Sequence, residues 1–293
     1  MLKADRRDFL KLAGMAGVTF TAGLFPGRNA MAQAAGDFHF VQFSDTHWGY
    51  KGKANPDAEH TLEEAIVTVN GLARQPDFIV FTGDLTHTTE DPEERRARMK
   101  RVREIIGDLK VKDVRFLPGE NDAALDRGEA YKEFFGATHY TFDHKGVHFI
   151  ALDNVSDPHA ALGDEQLAWL AADLKQRKAD DRIVVLTHRP LFDLLPSWDW
   201  ATADGAKAID LLMPYQNVVV FYGHIHQENH HMTGHIAHHA AKSLIFPQPT
   251  PGPNPPARRP PPPPFDASLK PLGTRDIAMG KTTTFVELPV TKA

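Results

Sequence analysis

Five short apolar runs, each stopped by a polar turn, constrain this chain more than any other feature. They are Phe38–Phe43, Phe78–Phe81, Val114–Leu117, Ile183–Leu186 and Val218–Phe221. Near-continuous apolarity over so few residues marks strands buried on both faces. Helical patterns lie between them. Asn55-Pro56-Asp57 offers an N-cap and an early proline, and Ala58, Leu62, Ala65, Ile66, Val69 and Leu72 follow at helical spacing. Asp91-Pro92 caps a second helix, and Leu167, Leu170, Ala171 and Leu174 form the stripe of another. Around Tyr140 to Leu152 two strand patterns meet at Lys145-Gly146, a hairpin, and Thr282–Leu288 alternates like an antiparallel strand. The repeated order of strand, loop and helix predicts an α/β fold. The added antiparallel strands favour a mixed two-sheet sandwich flanked by helices.

Composition narrows the chemistry. At 293 residues and 42% hydrophobic, the chain can bury a substantial core as one large domain or two small ones. Its formal charge of -5 gives no whole-molecule attraction to nucleic acid or anionic membrane, so no specific nucleic-acid binding is expected. There is no cysteine, which excludes disulfides, thiolate metal sites and thiol nucleophiles. Histidine is abundant, with 16 residues, and nearly half of them fall between His224 and His239. Metal chemistry here must use imidazole and carboxylate.

Residues 1–32 read as an export signal. Arg6-Arg7 precedes Phe9-Leu10-Lys11, a weakly apolar run spans Leu12 to Phe25, and Ala30-Met31-Ala32 supplies a small-x-small cleavage site. The run is too short and too rich in Gly and Ala for a bilayer span, and it resembles a twin-arginine signal, a route for folded proteins. The expected location is periplasmic or secreted, with the twin-arginine export machinery as a partner and no membrane span in the mature protein. Residues 33–246 form the expected main domain. Residues 247–264 hold 11 of the chain's 22 prolines and form an arm, and 265–293 return to the domain. The arm cannot be a helix or a central strand. It is a surface segment or a docking site for a proline-reading partner.

The chemistry sits at the ends of the apolar runs, where open α/β sheets place ligands. Asp45-Thr46-His47 follows the first run, and in an extended segment residues at i and i+2 point the same way. Gly83-Asp84 follows the second, with a carboxylate able to bridge two cations. Gly119-Glu120-Asn121-Asp122 follows the third, Thr187-His188-Arg189-Pro190 the fourth, and Gly223-His224-Ile225-His226 the fifth. Each piece alone is an ordinary turn or surface histidine. Five in order, each at a strand end, are not explained by coincidence.

Together these residues resemble the calcineurin-like metallophosphoesterases, bacterial and twin-arginine-exported in type, from about Phe38 to His226. The likeness includes Gln166, Trp169 and Leu170 on the helix before the fourth strand. It implies a four-layer α/β/β/α sandwich with two metals at the sheet ends. Asp45, His47, Asp84 and His226 match the first metal's ligands. Asp84 would bridge to a second metal held also by Glu120, His188 and His224. The ions implied are two divalent or mixed-valence transition metals, Fe, Mn or Zn. Such a pair, roughly 3.5–4 Å apart, clamps and acidifies a water and neutralises phosphoryl oxygens during in-line attack on a small phosphoester. Asp84, Asn121, His188 and His224 are the positions matching the family's catalytic set. Arg189 is a candidate to orient the phosphate, or a helix-surface residue beside Pro190.

One block departs from the family. Its Gly-Asn-His-Asp reads Gly119-Glu120-Asn121-Asp122 here, so Glu120 replaces an Asn ligand and Asn121 replaces the acidic His. A third carboxylate offsets metal charge or favours an ion such as ferric iron. Asn121 donates a hydrogen bond but transfers no proton at neutral pH. A one-residue shift would instead make Asn121 the ligand and turn Glu120 away. The expected enzyme favours good leaving groups or borrows an acid, with His87 and His230 as candidates. The cluster His230, His231, His235, His238 and His239 is either an auxiliary metal site or substrate wall, or a set of core-edge histidines. The run Arg95, Arg96, Arg98, Lys100, Arg101 and Arg103 is either a phosphate-contacting patch or a solvated helix face. A weakly active metal-binding relative and a partner-binding protein acting through the arm are the competing readings.

Overall fold

The computed structural model describes residues 37–265 and 272–290, so the signal expected over residues 1–32 lies outside the described residues. Two mixed sheets lie between helices. The first sheet has the order β11-β10-β1-β2-β3, with β1 at Phe38–Phe43, β2 at Phe78–Thr82, β3 at Val114–Leu117, β10 at Gly273–Met279 and β11 at Thr283–Pro289. The second has the order β4-β5-β6-β7-β9-β8, from β4 at Tyr140–His144 and β5 at Val147–Ala151 through β6 at Arg182–Leu186 and β7 at Asn217–Tyr222 to β9 at Ile236–Ala240 and β8 at Asn229–Thr233. β1, β2 and β3 are parallel, as are β5, β6, β7 and β9. Parallel strands end together, so the loops after β1, β2, β3, β6 and β7 meet at one edge.

Three apolar cores define four layers. Phe38, Phe40, Phe78, Val80, Phe149, Val184, Leu186, Phe221 and Ile277 fill the space between the sheets. The alternate residues Val41, Phe43, Ile79 and Phe81 face outward onto α1 (Ala58–Asn70), α2 (Pro92–Ile106) and α4 (Glu129–Phe135). Ile150, Ile183, Val185, Val218 and Val220 face α5 (Gly163–Leu174) and α6 (Gly205–Leu212) on the far side. Each central strand is therefore buried on both faces, which is why the runs read as continuous apolarity rather than alternation. The four-layer α/β/β/α expectation holds.

Local signals hold as well. The Asp91 carboxylate accepts from the Glu93 and Glu94 amides at the start of α2, with Pro92 as its first residue. The basic run lies on α2 and is largely paired: Arg95 with Asp126, Arg96 with Glu133, Arg98 with Glu94, and Arg101 with Glu63 and Glu104. It is a helix face held by carboxylates.

Two elements escaped the sequence reading. The β8–β9 hairpin is made largely of the histidine cluster, and its polar residues disguise a strand pair. β10 pairs antiparallel with β1, yet carries a fully buried Arg275. That guanidinium donates to Glu287 at 2.5 Å and to the Ala240 carbonyl at 2.7 Å, and it lies over the Phe285 ring. A charge inside a strand is tolerated only when so paired.

The proline-rich residues 247–264 form no helix or strand and are tied to the surface. Trp198 Nε1 donates to the Pro256 carbonyl at 2.8 Å, and the Phe265 amide donates to the Lys53 carbonyl at 2.7 Å.

Phe78 stacks on Phe40 at 4.9 Å and meets Phe142 and Phe149 edge-on. Phe78→Ala is expected to lower stability by about 3–5 kcal/mol in chemical denaturation. Val286→Ala, at an exposed edge position, should stay within about 0.5 kcal/mol of the parent.

Candidate metal centre

The five strand-end loops converge, and they do so in unusual backbone. Asp45, His47, Asp84, His224 and His226 all have positive φ, between 42° and 64°. Non-glycine residues held there cost about 1–2 kcal/mol each and gather at functional sites. The extended Asp-x-His geometry expected from sequence is corrected by this finding. Both Asp45/His47 and His224/His226 are aimed by left-handed turns, not by strand pleat.

Hydrogen bonds hold these turns. The Asp45, His47 and Trp48 amides donate to the Gly83, Asp84 and Leu85 carbonyls, so the loops after β1 and β2 run on as a pair. The His224 amide donates to both Asp45 oxygens at 3.1–3.2 Å, joining the second sheet to the first. Asp122, in the short helix α3 (Glu120–Ala123), accepts from the Leu85, Thr86 and Gly119 amides and from the Thr86 hydroxyl. Gly83 has a φ of 94°, and a Cβ there would strike the His188 ring. A Cβ on Gly119 would strike the Asp84 backbone amide and carboxylate. Only glycine allows these loops to close on one another.

Three overlapping groups of side chains result. Asp45, His47 and His226 form one, Glu120, His188 and His224 another, and Asp45, Asp84 and His188 link them; within each group the ligand atoms lie within 4.8 Å of one another. His47 Nε2 is 3.3 Å from Asp84, and His188 Nε2 is 3.5 Å from Asp84 and 2.9 Å from Glu120. His224 Nδ1 is 2.9 Å from the other Glu120 oxygen. Glu120 is thus turned toward the two imidazoles, as the unshifted alignment expects, and not away from them.

The outward ring nitrogens are fixed by backbone carbonyls. His188 Nδ1 donates to Thr82 at 2.7 Å, His226 Nδ1 to Phe246 at 2.8 Å, and His224 Nε2 to Asp199 at 2.8 Å. When the ring is neutral, such bonds set the tautomer and leave the inward nitrogen a lone pair. For His47 the partner is His87, Nδ1 to Nδ1 at 3.3 Å. The residues fit a pair of cations on this chemistry. His188 Nε2, His224 Nδ1 and Glu120 Oε2 are buried and lack a hydrogen bond despite their short separations. Buried polar atoms left so cost about 1–3 kcal/mol each, a penalty that coordination removes.

Electrostatics agrees. Burial alone would raise the Glu120 carboxyl, but His224, His188 and Arg189 hold it well below its usual range. Burial alone would lower His188, but Asp84 and Glu120 raise it well above its usual value. Burial lowers His47 to about 4, against the pull of Asp84. Burial and the neighbouring Asp84 raise Asp122 to about 7.

The remaining candidates fall in different places. Asn121 is pinned, its side chain donating to Asp84 Oδ2 at 2.8 Å and accepting from the Thr88 amide at 3.1 Å. His87 adjoins His47 and meets the Tyr50 ring edge-on. Arg189 is not the helix-surface residue of the alternative reading: it is buried on the loop after β6 and forked onto Asp199 at 2.5 and 2.7 Å. His230 is not among the three groups; it faces His239 across the β8–β9 hairpin and stacks on Phe285. The histidine cluster splits into cross-strand pairs, His230 with His239 and His231 with His238. Because neighbouring residues on a strand face opposite ways, it forms no further three-residue group among the described residues. Sequence reasoning missed Asp199, Phe246 and Thr82, which act through carbonyls and leave no side-chain signature.

In metal-free protein His188 holds a proton that a cation must displace. Metal uptake at the Glu120–His188–His224 group should therefore release a proton and weaken as pH falls, by up to about tenfold per unit. His47 is already neutral and should release none. Proton release during metal titration in buffers of different ionisation enthalpy measures this.

Comparison with known proteins accords with this geometry. The calcineurin-like phosphoesterase family model matches residues 38–228. A "Probable glycerophosphodiester phosphodiesterase" of Arcobacter nitrofigilis is 27% identical, covering 64% of this chain and 71% of that protein. A "Probable cyclic nucleotide phosphodiesterase" of Rhodococcus erythropolis is 28% identical, over 64% of this chain and 65% of that one, just under two thirds of its length. Among solved structures, a dimetal phosphatase from Danio rerio superposes with a TM-score of 0.58 at 13% identity, covering 87% of this chain and 97% of that chain. That likeness speaks to the fold. With nearly two thirds of its length matched by the family model, and with carboxylates and imidazoles gathered where the two sheets end, this chain belongs to the calcineurin-like phosphoesterases, a family of dinuclear metal enzymes that hydrolyse phosphoester bonds.

Proposed function

We propose that this chain is an exported phosphodiesterase acting on a small phosphodiester with a good leaving group. The observation that carries the reading is the linked set of three carboxylate–histidine groups, joined through Asp45, Asp84 and His188. Asp45, His47, Asp84 and His226 would hold one cation, and Asp84, Glu120, His188 and His224 the other. Cations there supply Lewis acidity and a nucleophile at neutral pH. The protein's part is to fix these ligands, through the Thr82, Asp199 and Phe246 carbonyls and His87, before substrate arrives.

The phosphodiester class is favoured by the names of the two relatives described above, and the good leaving group by Asn121. Its amide is engaged by Asp84 and the Thr88 amide, and it offers no proton to a departing alkoxide. A monoester or diester with a poor leaving group would need an acid that this position does not supply. The same observation favours a second reading, a metal-binding relative with low turnover. Export rests on the Arg6-Arg7, apolar and Ala-x-Ala order of the first 32 residues, and it would place the enzyme in the periplasm or outside the cell. No helix among the described residues is long and apolar enough to cross a membrane.

An aryl phosphodiester assay decides between the two readings. Hydrolysis should vanish on chelation, return with added Mn(II) or Zn(II), and fall at least about a thousandfold in Asp84→Asn. Activity that survives chelation would sink the proposal. Across phenyl esters of graded leaving-group pKa, the parent should show a steep dependence and Asn121→His a shallower one. Equal slopes would mean that the acid comes from elsewhere. A reporter fused after residue 32 should reach the periplasm, and Arg6→Lys with Arg7→Lys should block it.

A further inference from the structure

We infer that Arg189 is the built-in counter-charge of Glu120, keeping the electrostatic balance that a neutral residue at position 120 would give. The inference rests on the two-cation reading of the centre, and not on which phosphoester is cleaved.

Arg189 lies on the loop after β6, one residue beyond His188. Its Nε is 3.8 Å from Glu120 Oε2, while the two oxygens of Glu120 face His188 and His224 at 2.9 Å. The guanidinium side chain is only 6% exposed. Its far side is forked onto the Asp199 carboxylate, which is itself 62% exposed. Water screens the charge of the exposed Asp199 more than that of the partly buried Glu120, toward which the positive charge of Arg189 is also directed. The pairing also orders the site, because the Asp199 carbonyl that accepts from Arg189 accepts from His224 Nε2 as well.

Charge accounting gives the role its sense. Asp45, Asp84 and Glu120 bring three negative charges to two cation positions, one more than a centre with Asn at position 120. Unopposed, the third carboxylate would tighten cation binding and blunt the Lewis acidity on which hydrolysis depends. One buried guanidinium beside it, its other partner Asp199 being exposed to water, offsets part of the difference. The side chain fills this role without holding the loop together. The Arg189 backbone is secured separately, its carbonyl accepting from Asn154 and from the Thr187 hydroxyl, and its amide donating to Asn154. Substituting the side chain should leave the loop folded.

The test is titration of metal-depleted protein with Mn(II), read as the dissociation constant of the weaker of two ions. Arg189→Gln keeps hydrogen-bond donors near Asp199 and removes the charge; it should tighten binding roughly tenfold. Glu120→Asn should weaken it by a similar factor, and the double variant should return to within about threefold of the parent. Arg189→Lys, which keeps the charge, should resemble the parent. Unchanged or weaker binding in Arg189→Gln would overturn the inference and reduce Arg189 to a brace for Asp199. So would an Arg189→Lys variant that behaves like Arg189→Gln. A parent protein that binds fewer than two ions would overturn the centre itself. Two ions bound without charge compensation would leave the hydrolase reading standing and remove this one alone.

Discussion

The structure depends on burying Asp45, Asp84 and Glu120 beside His47, His188, His224 and His226 where two sheets meet. Apart from the partly buried Glu120, these groups are almost wholly withdrawn from water. Buried charges persist only when paired and hydrogen-bonded. Every peculiarity nearby follows from that demand. Left-handed residues bring the ligands inward, glycines at positions 83 and 119 let backbones touch, and backbone carbonyls take up the outward imidazole N–H groups. The inter-sheet core of phenylalanines supplies the rigid floor that makes such strained loops affordable.

Much of this was legible in the sequence. The five apolar runs gave the central strands because strands buried on both faces cannot alternate. Gly83-Asp84 and Gly223-His224-Ile225-His226 are ordinary turns taken singly, and stood out because five such pieces follow one another in order, each at the end of a buried strand. What stayed hidden was physical in origin. Arg275 concealed β10, since a charge in a strand looks like a loop until its partner Glu287 is known. The polar β8–β9 hairpin left a ligand cluster open beside the plainer reading of loop and strand histidines, because composition does not reveal that adjacent histidines face opposite ways. The Asp-x-His pairs were assigned a strand pleat that they do not have, as dihedral angles are not written in residue types. Arg189 looked free for substrate because Asp199, ten residues on, carries no motif.

Glu120 and Asn121 are each held by specific partners. Glu120 turns both its oxygens toward His188 and His224, and a buried guanidinium lies beside the charge it brings. The Asn121 amide fastens the Asp84 carboxylate, which lies beside both His47 and His188. The loops around them keep their tight approach.

Each of the three ligand groups draws on both sheets. Asp45 and His47 need His226, Glu120 needs His188 and His224, and Asp84 needs His188. No half of the molecule carries a complete group, and the ligands span most of the described chain. A cation can therefore find its full coordination only after the two sheets have docked, late in folding. Occupancy of the centre becomes a report on finished folding: a chain still in two pieces has no place to keep its metal, and one that holds two has little left to arrange.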